Sequence, residues 1–159
     1  MKNFNFLHLL VFIIASELIG SLGSIFTIKS IPGWYSTLVK SPLTPPNWVF
    51  APVWIILFLL MGISGYLIWQ LGWNKKKVRS ALYFFIAQFT FNVLWSFLFF
   101  GLKSPFGAFL EIIILWFFIL LTLREFIKVR PIAGWLFLPY FLWVTFASYL
   151  NFSVAFLNR

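Results

Sequence analysis

Residues Phe106–Ile127 read FGAFLEIIILWFFILLTLREFI. Between Glu111 and Arg124 this stretch carries no charge, and its 22 residues would rise about 33 Å as a helix. That exceeds the roughly 30 Å hydrocarbon thickness of a bilayer. Four more stretches share its character: Phe4–Ile28, Trp48–Gly72, Ala81–Gly101 and Ile132–Leu157, each of 20 or more residues. The chain therefore reads as an all-α integral membrane bundle of five transmembrane helices. It forms a single domain over residues 1–159, with approximate spans 4–28, 48–72, 81–101, 106–127 and 132–157.

Composition agrees. The chain is 62% hydrophobic with a mean hydropathy of +0.98, too apolar for a soluble domain of this length. Cysteine is absent and His8 is the single histidine, which excludes disulfides and thiolate metal sites. Glu17, Glu111 and Glu125 are scattered over different runs, so no metal site and no cofactor are expected. The net charge of +9 does not point to nucleic acid, because the basic residues lie between apolar runs, where positive charge sets membrane orientation.

Lys2, Lys75, Lys76, Lys77, Arg79, Arg124, Lys128 and Arg130 fall on one side of the five runs; Lys29, Lys40, Lys103 and Arg159 fall on the other. The excess places the N-terminus in the cytoplasm and the C-terminus outside in a bacterial-type cell membrane. A cleaved signal peptide is the rival reading of the first run. Its apolar character continues past Glu17 to Ile28, which favours a retained helix.

Several patterns mark candidate sites. Ser16, Gly20 and Ser24 form a small-residue stripe that permits close helix approach, either in a dimer or within one copy. The segment Lys29–Asn47 holds Pro32, Gly33, Pro42, Pro45 and Pro46 and reads as a stiff non-helical loop. With Trp34 and Tyr35 it either covers an end of the bundle or forms an interfacial aromatic belt. The basic turn 74–80 either marks topology or attracts anionic lipid. Gln88, Asn92 and Trp95 share a helix face; such polar groups in hydrocarbon need partners, either on neighbouring helices or around a cavity. Glu17 and Glu111 are ionisable groups within apolar runs. Trp135, Pro139, Trp143, Ala147 and Asn151 recur every four residues and are expected to share a face, with a kink at Pro139 opening space for a flat ligand or simply filling the core.

At these residues the chain resembles the TspO/MBR family, the tryptophan-rich sensory proteins that include the mitochondrial translocator protein. Residues 34–54, WYSTLVKSPLTPPNWVFAPVW, are similar to the family's W-Y-x-x-L-x-K-P-x-x-x-P-P-x-W-x-F-x-P-x-W stretch. Gln88, Asn92, Trp95 and Phe99-Phe100-Gly101 match a second block. Pro139-Tyr140, Trp143, Phe146-Ala147 and Leu150-Asn151 match a third. The order after Lys40 is Ser-Pro rather than Pro-Ser, Leu43 stands where an aromatic is usual, and Phe58 where Tyr is frequent. Tyr149 lies ten residues before Arg159, so the Tyr-then-basic pattern proposed for cholesterol is not matched.

The resemblance implies a homodimer whose intra-bundle cavity binds hydrophobic planar ligands: porphyrin and haem-type tetrapyrroles, and also sterols and isoquinoline or benzodiazepine drugs. The cavity would be lined by Trp54, Phe58, Asn92, Trp95, Tyr140, Trp143 and Ala147, with Trp34, Pro45 and Pro46 as its lid. Three functions follow as expectations. One is a membrane receptor or carrier. The second is a light-dependent porphyrin-degrading enzyme using Trp54 and Trp143. The third is a structural or regulatory subunit acting through helix contact. The sequence offers no catalytic triad and no phosphate-cradling loop.

Overall fold

The structure is a computed structural model and describes residues 4–159. Lys2, one of the basic residues used for orientation, lies outside the described residues. The helices are α1 (Phe6–Ser21), α2 (Ser24–Ser30), α3 (Asn47–Trp69), α4 (Lys76–Ser96), α5 (Pro105–Val129) and α6 (Pro131–Leu157). No strand occurs among the described residues. Five helices are long and apolar enough to cross a membrane, the first of them running over Phe6–Tyr35.

That first span corrects the boundary read from sequence. The loop expected over 29–47 is helical for much of its length, through α2 and a π-helical turn at Ile31–Tyr35. Pro32 enters at the start of that wider turn, where its missing donor is tolerated. The backbone leaves helical geometry only at Gly33 (φ −99°, ψ −105°). A second π turn, Phe97–Gly101, extends α4.

Local chemistry sets the ends. Asn5 caps α1 by accepting from the His8 amide at 3.2 Å, and Ser104 caps α5 by accepting from Gly107 at 3.3 Å; both supply an acceptor to an orphan helix donor. Gly72 takes a φ of +110° in the turn after α3, a conformation that suits a residue without Cβ. Arg130 is extended before Pro131, as the pre-proline position prefers, and α6 folds straight back onto α5. Gly134 makes that reversal possible, because a Cβ there would overlap Ile127.

The spans pack in the order α1–α3–α6–α5–α4, and α3 touches α4 only lightly. The apolar core fills the half of the bundle nearest the 70–75 and 130 turns, around Met61, Ile68, Phe85, Phe126, Phe137 and Tyr140. Without a hydrophobic drive between helices in lipid, such packing and interhelical hydrogen bonds hold the bundle together. Ser64 donates to the Ala133 carbonyl at 2.7 Å in this core. Gly62 lets α3 approach the α1 backbone, where a Cβ would stand 2.7 Å from the Ile13 Cα. Ser16 and Gly20 are buried, and Gly20 lies against Phe58, so the stripe of α1 packs within one copy.

The four-residue series on α6 does not keep one face. A helix turns about 100° per residue, so each step of four drifts by about 40°. Trp135 and Pro139 are exposed on the outside, Trp143 is intermediate, and Asn151 is buried. The helix runs unbroken through Pro139.

Candidate functional site

In the other half of the bundle, α3 and α4 diverge and leave a cavity of about 480 Å³, within the range of small-molecule sites. Small residues make the room: Gly20 and Gly23 from the first span, Ala51 from α3 and Ala147 from α6 all line it. Trp54 and Phe58 come from α3, Asn92 and Trp95 from α4, Phe99 and Phe100 from the π turn, and Asn151 from α6. Helix α5 contributes none of the lining residues. Tyr35, Thr44 and Asn47 border its mouth.

The aromatic wall is held in a fixed stack. Trp54 lies over Phe58 at 5.2 Å between ring centroids with an interplanar angle of 23°. Phe58 stacks in turn near Phe89 at 6.4 Å and 26°. Across the cavity Trp95 stacks on Phe99 at 5.3 Å and 29°. Two indoles and several phenyl rings thus offer flat apolar surface, and stacked aromatic pairs add about 0.5–1.5 kcal/mol beyond area burial.

Two buried polar chains fix the walls. Asn92 Nδ2 donates to the Tyr140 hydroxyl at 3.1 Å, and that hydroxyl donates to Gln88 Oε1 at 2.9 Å. Trp95 Nε1 donates to Asn151 Oδ1 at 2.8 Å, and Asn151 Nδ2 donates to the Pro105 carbonyl at 2.8 Å. The polar face of α4 therefore bonds to α6, and through Asn92 and Trp95 it also borders the cavity. Glu111 is buried on α5 with neither carboxyl oxygen hydrogen-bonded.

Of the residues named from sequence, Trp54, Phe58, Asn92, Trp95 and Ala147 meet at this cavity; Trp34, Pro45, Pro46, Tyr140 and Trp143 are not among its lining residues. Tyr140 sits behind Asn92 as its acceptor. Trp34 packs edge-on to Phe99 at 5.7 Å, on the outer side of that ring. Pro46 is the residue before α3. Trp143 rests edge-on to Phe50 at 6.0 Å. The loop meets the cavity through Thr44 instead, and is fastened to the C-terminal end of α6. Val39 and Asn158 exchange two hydrogen bonds of 2.9 Å, and Ser41 lies 3.1 Å from the Tyr149 hydroxyl.

Sequence reasoning singled out Glu17 and Ser24 but did not place them, or their neighbours, on a cavity wall. Glu17, Ser21, Ser24, Thr27, Ile28 and Ile31 all line the cavity from the first span. Residues 17, 21, 24, 28 and 31 step alternately by four and three, a helical spacing that runs past Ile28, a signal that the helix itself continues.

Comparison with known proteins places this architecture. The family model described as TspO/MBR family matches residues 12–157. The chain is 44% identical over 140 residues to the tryptophan-rich protein TspO of Chlorobaculum tepidum, covering 88% of this chain and 89% of that protein. It is 42% identical over 155 residues to the tryptophan-rich protein TspO of Archaeoglobus fulgidus, covering 97% and 99%. Similarity extends to the translocator protein of Homo sapiens, 32% identical over 144 residues and covering 90% and 85%.

Proposed function

The chain belongs to the TspO/MBR family, and on that premise we propose that it is a membrane receptor or carrier for hydrophobic planar ligands, with porphyrin-type tetrapyrroles first among them. The supporting observation is the cavity itself: about 480 Å³ walled by Trp54, Phe58, Trp95 and Phe99, with aromatic and aliphatic side chains making up most of its lining. A flat macrocycle gains stacking on indole and phenyl faces, and Asn92, Asn151 and Glu17 are polar groups in the lining that can orient it. Sterols and isoquinoline or benzodiazepine drugs are flat or apolar enough to enter the same space.

In this reading the protein is a homodimer in a bacterial-type cell membrane. The excess of basic residues at the 74–80 and 124–130 ends supports a cytoplasmic N-terminus. Light-dependent degradation of porphyrin is the second reading. Trp54 supports it, being an indole in the cavity wall from which an excited porphyrin could take an electron. Trp143 is less well placed for that role, since it is not among the lining residues and packs against Phe50.

The test is a titration of the purified protein in detergent with protoporphyrin IX and with its uncharged dimethyl ester, in the dark, following tryptophan fluorescence. Saturable quenching by either, with unchanged porphyrin absorbance, is the expected result. No saturable quenching by either overturns the reading.

A further inference from the structure

The first-span wall of the cavity carries the oxygen-bearing side chains of Glu17, Ser21, Ser24 and Thr27 among Gly20, Gly23, Ile28 and Ile31. Ser21 Oγ donates its proton to the Leu18 carbonyl at 2.8 Å, Ser24 Oγ to the Ser21 carbonyl at 2.6 Å, and Thr27 Oγ1 to the Ser24 carbonyl at 3.2 Å. Each hydroxyl has spent its one proton on its own helix, so what remains is an oxygen lone pair. Glu17 lies on the same face and lines the same cavity. It has no hydrogen bond and no ion pair among the described residues.

The facing walls keep some neutral donors, since the Trp54 indole N–H and the Ser96 hydroxyl have no hydrogen bond among the described residues, but others are engaged. The Trp95 indole N–H is taken by Asn151, the Asn151 amide by Pro105, and the Asn92 amide by Tyr140. No Lys, Arg or His is among the lining residues. The first-span side of the cavity therefore offers one half-buried carboxyl and several acceptor oxygens beside a mostly apolar lining. Donors remain at the mouth, on Tyr35, Thr44 and Asn47.

We infer that the ligand of this cavity is a planar molecule with a protonated amine or other strongly donating nitrogen on one edge, held with that edge toward Glu17. The inference rests on the planar-ligand reading above and gives it a chemical direction. A carboxylate facing an apolar cavity within the membrane is costly to leave unpaired, and a cationic donor both neutralises it and satisfies the lone pairs of Ser21 and Ser24. Substituents that accept hydrogen bonds sit at the mouth.

The experiment compares two ligands on one macrocycle. The first is protoporphyrin IX dimethyl ester. The second has both propionates converted to amides that each carry a primary amine. Each is titrated against wild type, Glu17→Gln and Glu17→Ser in detergent at neutral pH in the dark. The diamine should bind wild type about tenfold tighter than the ester, the scale of one charge-assisted contact. Both variants should bring the two ligands to parity, and an unfolding midpoint in detergent close to that of wild type shows that they fold. Equal affinity for wild type overturns the inference while leaving the planar-ligand reading in place, and so does an amine advantage that survives in either variant. Saturation by neither ligand overturns both.

Discussion

Gly20 of α1 and Phe58 of α3 are in direct contact: a Cβ built on Gly20 would overlap the edge of the Phe58 ring. Phe58 has no easy retreat, because it is stacked between Trp54 and Phe89 and is buried. Gly20→Leu should therefore drive α1 away from α3 and fill the inner end of the cavity. A loss of about 1–3 kcal/mol is the scale of such overpacking. Thermal unfolding in detergent should report it, and porphyrin quenching should fall with it. If the stripe Ser16-Gly20-Ser24 were instead a dimer contact, Gly20→Leu would abolish association and leave ligand affinity intact. That outcome would sink the packing argument.

The spans were legible because composition alone decides them: long uncharged runs admit one structure in lipid. The end of the first span was not. Proline and glycine at 32 and 33 read as breakers, and the chain does kink at Gly33, but helix runs up to them and resumes after them. Packing of Tyr35 against Phe99 and Phe100 holds the segment after the kink against the bundle. Trp54, Asn92 and Trp95 were readable from motif and face, since polar and aromatic groups in a span must find partners. Trp143 was named from the resemblance and lies outside the lining of this cavity. A run of equal four-residue steps looks like one face in sequence but drifts around a helix of 3.6 residues per turn. Glu17 stood out as an intramembrane charge, but only the fold shows that it faces the cavity.

The Tyr140 hydroxyl couples α4 to α6 by accepting from Asn92 and donating to Gln88. Tyr140→Phe removes it and leaves both amides without that partner. The expected cost is about 1–3 kcal/mol, the penalty for buried unsatisfied groups, measured as a lower unfolding midpoint. Adding Gln88→Leu should cost less than the sum of the two single changes, because the second removes an acceptor already stranded. Strict additivity would show that the three residues do not act as one chain.

Asn158 holds Val39 through both of its backbone groups, on an exposed surface. Asn158→Ala should weaken this clamp by about 1 kcal/mol, which corresponds to about fivefold faster exchange of the Val39 amide. Hydrogen exchange read by mass spectrometry over 38–44 should show the change, with the cores of α3 and α4 unaffected. Unchanged exchange at Val39 would mean that Ser41 and Tyr149 alone fasten the loop.

Trp54 and Trp143 should behave differently, although the resemblance to porphyrin-degrading relatives assigns them one role. Trp54 lies in the cavity wall, stacked on Phe58; Trp143 stands outside the lining, edge-on to Phe50 and Phe146. Trp54→Phe keeps a ring but loses indole area, so porphyrin affinity should fall about 2- to 12-fold, the value of one aromatic stack. Trp143→Phe should leave affinity within about twofold, a difference too small to count as a lost stack. Under illumination the same order should hold for any loss of porphyrin absorbance, because electron transfer from an indole requires contact with the ring system. Equal losses from both substitutions would mean that the ligand reaches Trp143 past Phe50. The binding surface would then lie on the α3–α6 side of the bundle rather than between α1 and α4.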